Sequence, residues 1–339
     1  MTTIADIAAR AKVSKSTVSK VLNNYKGVSH ETRERVHRIV TECGYFPNTT
    51  ARSLITNRSK LIGLFLASQL NDPFFREVID GIEKTLGPLG YDILYLYTPA
   101  HCCDGQPIGY VEKVKTRTVD GVIFLGFVKD ELSQFDRILE SDIPSVFLDL
   151  DLVGPYASYV MSDNLESGFM AADYLIKLGH SKIGLLDGTH VSKPAQDRFA
   201  GFGLALADRK VAYNPNWVFR GEFSVEAGYQ GMQSLLDLPD VPTAIVAQDS
   251  MAVGAMEALR QRGKRVPEDM SIVGFDDMEF SRYCGLTTVR QHKDRMGEAA
   301  SKLLLKIIRQ ESFAPVTIGT TFVERGSCQA RVDVKKTGS

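Results

Sequence analysis

Two short helices joined by a tight turn are predicted by the segment TIADIAARAKVSKSTVSKVLN, which occupies residues 3–23 of this 339-residue chain. The first helix has an apolar side, because the positions i, i+3, i+4 and i+7 are held by Ile4, Ile7, Ala8 and Ala11. Thr3 and Asp6 have the spacing of an N-cap and its answering carboxylate. The segment therefore begins with a capped, amphipathic helix.

The second helix presents short polar and basic side chains to solvent. After a cap at Ser14, the helix turns Val18, Val21 and Leu22 inward. The outward residues are Lys15, Ser16, Ser19 and Lys20. A rigid two-helix unit with short donors and lysines at the start of its second helix suits the major groove of DNA. The pattern also fits a small helical bundle whose basic face is only solvated, because helix-turn-helix patterns are degenerate.

The charge distribution favours the DNA interpretation. Residues 1–60 contain 11 Lys and Arg against 4 Asp and Glu, a net charge of +7. The whole chain has 40 against 41, so the remainder has 29 against 37, a net charge of −8. A basic head on an acidic body is expected where one end of a protein contacts phosphates and the rest does not.

Length and composition indicate a globular protein of two or three compact units. Hydrophobic residues make up 44% of the chain and charged residues 24%. No apolar run approaches the roughly 20 residues of a membrane span, and there is no secretory signal, so we expect a cytoplasmic protein. The five cysteines lack zinc-like spacing, and we expect free thiols and no metal or other cofactor: Cys43, Cys102, Cys103, Cys284 and Cys328.

A third helix, with Ser29 as its cap, is followed by a segment at 47–59 that is too polar for a core. In one interpretation this segment is a flexible linker. In the other it is a hinge helix that folds only when paired with its copy on DNA. Asn48 would then cap the helix, Leu54 would be an apolar wedge for the minor groove, and Ala51 would allow close approach.

From Lys60 the chain alternates between short strands and amphipathic helices, which is typical of an α/β fold with doubly wound parallel sheets. Roughly ten strands exceed one open sheet, so we expect two lobes with a boundary near residue 160. The candidate strands are Leu61–Ala67, Asp92–Tyr97, Gly121–Gly126, Ser145–Asp149, Lys182–Leu186, Ala244–Ala247, Ser271–Phe275 and Thr288–Gln291. The candidate helices lie near 74–88, 130–140, 164–178, 196–208, 225–236, 250–262 and 294–310.

Carboxylates stand at or just past several candidate strand ends, where doubly wound sheets bind ligands: Asp149, Asp187, Asp249 and Asp276. Arg198 lies near a helix start, and Phe74 and Phe75 open another helix. Carboxylates and Arg hold hydroxyl groups while an aromatic face covers an apolar ring, so the set predicts a cleft for a neutral polyhydroxylated ligand. Each Asp taken alone is also explained as a helix cap after a strand.

In the order of its motifs the chain resembles the lactose-repressor (LacI/GalR) family of bacterial transcription regulators, from residue 2 to about 333. The motifs are Thr3–Asn23, VSHETRERV (28–36), GYFPN (44–48), ARSL (51–54), DGVI (120–123), SDN (162–164), LGH (178–180), DRFAGF (197–202), VGFDD (273–277) and LTTV (286–289). In this combination they are highly specific.

The resemblance implies a domain organisation. It predicts a helix-turn-helix headpiece at 1–46, a hinge at 47–59 and a periplasmic-binding-protein-like core at 60–339 that forms at least a homodimer. The core would cross between its lobes near residues 160, 290 and 320. Its N-lobe would comprise about 60–160 and 291–320, and its C-lobe about 161–290 and 321–335.

The resemblance also implies residue roles. Positions that read bases are matched by Lys15, Ser16 and Lys20. Phosphate-contacting positions are matched by Thr17, Ser19, Asn23, Thr32 and Tyr45, and the intercalating hinge leucine by Leu54. Ligand-pocket positions are matched by Phe74, Phe75, Arg198, Phe223, Asp249 and Asp276, with Asp72 and Asp149 as additions. Ser192 and Leu150 stand where purine-responsive relatives have Arg and Trp, which argues against a purine ligand.

These observations predict a homodimeric transcriptional repressor that binds a near-palindromic operator and is controlled by a sugar or sugar derivative in its cleft. The alternative is a solute-binding module of the periplasmic receptor type, although such receptors carry an export signal and lack a basic head. No Ser/His/Asp set, metal-spaced cluster or phosphate loop stands out, so we do not predict an enzyme.

Overall fold

The computed structural model describes residues 2–22, 25–45, 58–67, 73–96, 109–128 and 132–331. The chain divides into two units, Met1–Lys60 and Leu61–Ser339. Several residues with predicted roles lie outside the described residues, namely Asn23, Asn48, Ala51, Leu54, Asp72, Cys102 and Cys103. Among the described helices, none combines the length and the apolar character that a membrane span needs.

The described part of the first unit contains α1 (Ile4–Ala11), α2 (Lys15–Leu22) and α3 (His30–Glu42) around a small apolar core. The predicted capping box is confirmed, because the Asp6 carboxylate accepts a 2.8 Å hydrogen bond from the Thr3 backbone N–H. The Ser14 hydroxyl accepts from the Thr17 N–H at 3.0 Å and Ser29 caps α3, also as predicted. These caps satisfy amide groups that have no partner inside a helix.

The second unit contains two sheets. The strands of the first sheet are β1 (Leu61–Leu66), β2 (Asp92–Leu96), β3 (Gly121–Leu125), β4 (Ser145–Leu148), β5 (Ala157–Ser162) and β11 (Val316–Ile318). Those of the second are β6 (Ile183–Asp187), β7 (Val218–Arg220), β8 (Ala244–Ala247), β9 (Ser271–Asp276), β10 (Thr287–Arg290) and β12 (Thr321–Val323).

Both sheets have the same topology over the described residues. The orders are β11-β5-β4-β3-β1-β2 and β12-β10-β9-β8-β6-β7, and all neighbours pair in parallel except β12 with β10. The end of β4 in the first lobe therefore corresponds to the end of β9 in the second. The predicted α/β fold with two lobes of parallel, doubly wound sheets is confirmed.

Helices cover both sheets. Those that pack on the first sheet are α4 (Pro73–Leu86), α5 (Tyr110–Arg117), α6 (Leu132–Leu139) and α11 (Lys293–Ile308). Those that pack on the second are α7 (Asn164–Lys177), α8 (Lys193–Asp208), α9 (Val225–Leu236) and α10 (Asp249–Gln261). Within the described ranges the chain passes between the lobes after β5, after β10 and between β11 and β12.

Three helix pairs of the described core cross at reciprocal glycines. The pairs are α4 with α11 through Gly81 and Gly297, α7 with α8 through Gly168 and Gly201, and α9 with α10 through Gly228 and Gly254. A Cβ on Gly201, for example, would lie 1.9 Å from the Leu165 carbonyl oxygen. No side chain fits at such a distance, so these glycines let the two backbones touch.

The strand and helix predictions were incomplete. They omitted β5, β7, β11, β12 and α5. The strands β7, β11 and β12 have only three residues each, too few to show a pattern. The strand β5 contains Ser158 and Ser162, yet both are buried because helices cover its sheet.

Candidate DNA-binding surface and ligand cleft

The outer face of α2 is polar and basic. Lys15, Ser16 and Lys20 are exposed, whereas Thr17 and Ser19 are half-buried. The Ser14 hydroxyl lies 2.7 Å from that of Ser16 and 2.8 Å from that of Thr17, so short donors and acceptors cluster at the start of the helix. The predicted base-reading residues thus lie on one accessible face.

This face continues into a shallow depression with a volume of about 700 Å³. The depression is lined by Ser16, Ser19, Lys20, Tyr25 and Lys26. Tyr25 and Lys26 were not predicted to contact DNA, although an aromatic residue followed by a lysine shortly after the second helix could have indicated them. Arg33 of α3 holds this loop, because its guanidinium donates to the Tyr25 carbonyl at 2.9 Å.

The predicted phosphate-contacting residues Thr32 and Tyr45 are half-buried. The Ser29 hydroxyl donates to that of Thr32 at 2.9 Å, and Tyr45 packs against the headpiece core. Thr32 lies in the first turn of α3 and Tyr45 three residues after its end, and their phosphate contacts stay a prediction.

In the second unit, Arg198 is the centre of a buried group of charges. It lies in the second turn of α8 and is 4% exposed. Its guanidinium carbon is 5.3 Å from the centroid of the Phe223 ring and 5.2 Å from that of the Phe275 ring. The guanidinium also donates to the side-chain oxygen of Asn164 at 3.3 Å. Rings on two sides hold its planar donors in a fixed orientation.

Asp276 faces Arg198 from the end of β9. One carboxylate oxygen lies 4.0 Å from the guanidinium and accepts from the Gln291 amide at 2.5 Å, while the other accepts from the Gln248 amide at 2.6 Å. The backbone φ of Asp276 is +104°, and that of Asp149 after β4 is +59°. Such values are rare for residues other than glycine, and strained backbone of this kind is concentrated at functional sites.

Asp149 and Asp187 complete the carboxylate group around Arg198. Burial raises the pKa of Asp149 from 3.8 to about 7 and that of Asp187 to about 6, and the charge of Arg198 opposes both shifts. The Asp187 carboxylate accepts from the Gly188 N–H at 2.9 Å. One buried oxygen of Asp149 has no hydrogen-bond partner among the described residues. The buried side-chain oxygen of Gln291 also lacks a partner there. Both oxygens need a donor. We name Arg198, Asp149, Asp187, Asp276, Phe223 and Phe275 the Arg198 cluster.

The free energy of unfolding is expected to fall as the pH rises from about 4 to 7, and replacement of Asp149 by Asn should make this fall smaller. The folded-state pKa of Asp149 is raised to about 7. The folded protein therefore binds more protons than the unfolded chain in this interval, and its free energy of unfolding falls as the pH rises. The contribution is on the order of 4 kcal/mol above pH 7. Asparagine tolerates positive φ and does not titrate.

The measurement is urea unfolding at pH 5 and pH 8. The Asp149→Asn variant should depend less on pH than the wild type and be the more stable of the two at pH 8. Asp151→Asn, whose carboxylate lies 3.9 Å from Lys193 nearer the surface, is the matched control and should keep the wild-type dependence. An unchanged pH dependence in the Asp149 variant would show that this carboxyl is not the titrating group.

Asp249, predicted to bind the ligand, points into the second lobe instead of joining the Arg198 cluster. Its two carboxylate oxygens accept hydrogen bonds from the Met278 N–H at 2.8 Å and from the hydroxyls of Ser281 at 2.5 Å and Thr288 at 2.7 Å. Burial and the charge of Asp276 raise its pKa. The strand β8 ends at Ala247, so the residue at the strand end is Gln248, which the sequence analysis missed.

Phe74 and Phe75 lie on the first lobe as an edge-to-face pair with centroids 5.2 Å apart. Phe75 packs so closely on Gly126 that a Cβ there would lie 2.9 Å from its ring. The residues at the positions associated with purines have other roles: Ser192 caps α8, and Leu150 is buried beside the phenylalanines of the first lobe.

His292, whose role the sequence did not indicate, has its Nε2 atom 3.0 Å from the Thr321 hydroxyl. It therefore joins the crossing after β10 to the start of β12. Over the described residues, no group of three or more His, Cys, Asp and Glu side chains is arranged to hold a metal ion.

Two family models match the chain. The model described as bacterial regulatory proteins, lacI family, matches residues 3–48, and the periplasmic binding protein-like domain matches residues 172–328. The ribose operon repressor of Haemophilus influenzae is 37% identical over 332 residues, which cover 96% of this chain and 98% of that protein. The chain belongs to the LacI family. A second member, the HTH-type transcriptional repressor PurR of Aliivibrio salmonicida, is 34% identical over 316 residues, or 92% of this chain and 93% of that one.

Solved structures of the LacI family share the fold. The Lac repressor dimer bound to operator and the anti-inducer ONPF has a TM-score of 0.83 at 27% identity, over 97% of this chain and 99% of that chain. A LacI family regulator from Enterococcus faecium with bound ribose has a TM-score of 0.69 at 26% identity, over 80% of this chain and 100% of that chain. Like both curated relatives, this LacI family member is a DNA-binding transcriptional repressor by descent.

Proposed function

We propose that this protein represses transcription as a homodimer on a near-palindromic operator and that a sugar or sugar derivative bound at the Arg198 cluster controls its affinity for DNA. The observation that carries the proposal is the Arg198 cluster itself, one buried cation among three carboxylates. In a LacI family chain, this group is linked to a basic headpiece. A solute-binding module would have no use for that headpiece.

The headpiece supports the DNA part of the proposal. The exposed side chains of Lys15 and Lys20 lie beside short hydroxyls on α2, next to the shallow depression. An α-helix of this kind enters the major groove, and two copies related by a two-fold axis would read two half-sites. Leu54 in the hinge stays a prediction for minor-groove insertion. The Lac repressor, which is similar over 97% of this chain, is a dimer on its operator.

The cluster supports a neutral ligand rich in hydroxyl groups. Three carboxylates outnumber one guanidinium, so an anionic ligand would add to an existing excess of negative charge. The unpartnered oxygens of Asp149 and Gln291 each require a donor, which a sugar hydroxyl supplies while its own oxygen accepts from Arg198. The ribose-bound relative from Enterococcus faecium has the same fold. Ser192 and Leu150 argue against a purine, because a single buried hydroxyl that caps α8 replaces the forked donors of Arg and an aliphatic side chain replaces the stacking surface of Trp.

A salt titration tests the DNA part. A duplex is first selected from a random pool with the full-length protein, and its affinity is then measured at increasing salt. Phosphate-anchored binding predicts a linear fall of log affinity with log salt, with a slope of about −0.9 for each phosphate neutralised. Lys20→Ala should weaken binding by about 1–3 kcal/mol.

The control is Lys302→Ala, because Lys302 is an exposed lysine on α11, outside the headpiece. This variant should leave both the affinity and the salt slope unchanged. A flat response to salt in the wild type contradicts the DNA part of the proposal.

The ligand part is tested by a thermal-shift screen of neutral sugars, sugar phosphates and purines, since a ligand that binds only the folded state raises the melting temperature. A shift with a sugar phosphate or a purine alone would overturn the assignment of a neutral sugar.

A further inference from the structure

Lys293 is a buried lysine at the point where the chain passes from the second lobe to the first. It is the first residue of α11, directly after the crossing that follows β10, and only 1% of its surface is exposed. A buried ammonium group is costly unless it is paired and hydrogen-bonded, so its partners define its role.

These partners come from both lobes. In the second lobe, the ammonium donates to the carbonyl oxygens of Asp276 at 2.7 Å and Asp277 at 3.4 Å. In the first lobe, it lies 3.3 Å from the Glu77 carboxylate and 5.9 Å from the centroid of the Phe74 ring, both on α4. One ammonium group therefore connects the end of β9 to the start of α4.

The contact on the second lobe involves a strained turn. Asp276 and Asp277 have φ values of +104° and +50°. A charged donor shared by their two carbonyls stabilises this conformation. The turn directs the Asp276 carboxylate towards Arg198, and the Asp277 carboxylate is held by Arg290 at 2.7 Å and Arg325 at 2.6 Å. A shift of the ammonium group would therefore disturb the carboxylate that faces Arg198.

The contact on the first lobe is rigid. A Cβ on Gly81 of α4 would lie 2.1 Å from the Asp294 carbonyl oxygen, and one on Gly297 of α11 would lie 2.0 Å from that of Val78. Helices in backbone contact on both sides of a crossing cannot slide without breaking that contact. The ammonium group is thus attached to the α4–α11 pair as a whole.

A second, weaker link runs in parallel. Arg76 of α4 lies 3.1 Å from Glu279, but both side chains are more than half exposed, and exposed pairs contribute little. Arg76, Glu77, Asp277, Glu279 and Lys293 all line a cavity of about 490 Å³ between the two lobes. The cavity leaves room for one lobe to move against the other around Lys293.

We propose that Lys293 is a positioning residue that couples the Asp276 turn of the second lobe to the α4–α11 pair of the first. Ligand occupancy at Asp276 would then change the orientation of the first lobe. The functional consequence rests on the proposed role of Asp276 in ligand binding, whereas the coupling itself rests only on the contacts of Lys293.

The test is hydrogen–deuterium exchange of the full-length protein without ligand, for the wild type, Lys293→Met and Lys302→Met. Met fills the space of the lysine stem, and the Glu77 carboxylate that loses its partner is 44% exposed, so its charge stays in water. We expect exchange in Lys293→Met to rise about tenfold in both 73–82 and 273–280, the effect of losing charge-assisted hydrogen bonds. The control Lys302→Met, on the solvent side of α11, should exchange at the wild-type rate in both segments.

Two results would overturn the proposal. One is unchanged exchange at 273–280, and the other is a uniform rise that includes α7 and α8, which would mean that Lys293 only contributes to global stability. Glu77→Gln is a second variant that keeps the buried lysine. It should raise exchange in segment 73–82 only. If exchange in this segment equals that of the wild type, the contact between Lys293 and the first lobe is contradicted as well.

The proposed function is tested separately with D-ribose. A rise in the melting temperature of the wild type that is smaller in Lys293→Met supports coupling to the ligand, and equal rises in both proteins contradict it. If D-ribose does not shift the wild type, D-ribose is not the ligand of the Arg198 cluster, while the exchange measured without ligand still decides the role of Lys293.

Discussion

Replacing Arg198 by alanine is expected to abolish the response to the ligand and to leave operator binding intact. Arg198 is the buried cation that faces Asp276, and its charge opposes the rise in pKa that burial causes at Asp149 and Asp187. Without it, the carboxyl groups take up protons more readily and the ligand loses its planar donor. Truncating one member of a buried charged set costs about 3–5 kcal/mol, so we expect ligand affinity to fall by about 100-fold or more.

The measurement is operator affinity with and without the ligand identified by thermal shift. Arg209→Ala is the matched control, because Arg209 directly follows the last residue of the same helix, lies 2.7 Å from Asp173 and is outside the Arg198 cluster. It should respond to the ligand like the wild type. A normal response in Arg198→Ala would remove the cluster from consideration as the ligand site. Loss of operator binding in the absence of ligand would instead show that Arg198 supports the fold.

The second large effect is expected from two neighbouring glycines of α8 that differ in their surroundings. A Cβ on Gly201 would lie 1.9 Å from the Leu165 carbonyl oxygen and 2.8 Å from the Phe169 nitrogen, so α7 and α8 would have to separate. Overpacking against side chains costs about 1–3 kcal/mol, and backbone atoms yield less readily, so we expect Gly201→Ala to cost at least about 3 kcal/mol.

Gly203→Ala is the control, and it should change the free energy of unfolding in the opposite direction. Nothing lies within 4 Å of a Cβ at Gly203, in the same helix two residues later. Alanine is favoured over glycine in a helix interior by about 1 kcal/mol, so this variant should be slightly more stable than the wild type. Urea unfolding of the two variants gives both values. A Gly201→Ala variant as stable as Gly203→Ala would mean that the helices do not cross in backbone contact.

The headpiece could be predicted closely from sequence because its signals are local. The capping box at Thr3 and Asp6 and the cap at Ser29 lie within four residues of their partners. In the core, the predictions succeeded for buried strands with continuous apolar runs, such as β3. They failed for β7, β11 and β12, which are defined by pairing with strands far along the chain rather than by their own residues.

The candidate site shows the same division. The rule that ligands lie beyond strand ends singled out Asp149, Asp187 and Asp276, and the structure brings all three together around Arg198, while their contacts with a ligand stay a prediction. The same rule pointed to Asp249, two residues past the correctly predicted end of β8, but this carboxylate accepts hydrogen bonds from Met278, Ser281 and Thr288. Gln291 could not be found from sequence, because its importance comes from one hydrogen bond to Asp276 and one unpartnered oxygen.

The position of α11 has a consequence for the order in which the protein folds during synthesis. This helix contributes Met296, Ala300, Leu304 and Ile307 to the core of the first lobe, although 130 residues of the second lobe separate it from β5. Domains that are continuous in sequence usually fold as they emerge, starting from the N-terminus. Here the earlier lobe waits for the later one, because α11 covers one face of β3, β4 and β5, and that part of the sheet stays exposed until residue 308 has left the ribosome. A nascent chain that stalls before residue 293 therefore exposes an apolar sheet to aggregation and to chaperones.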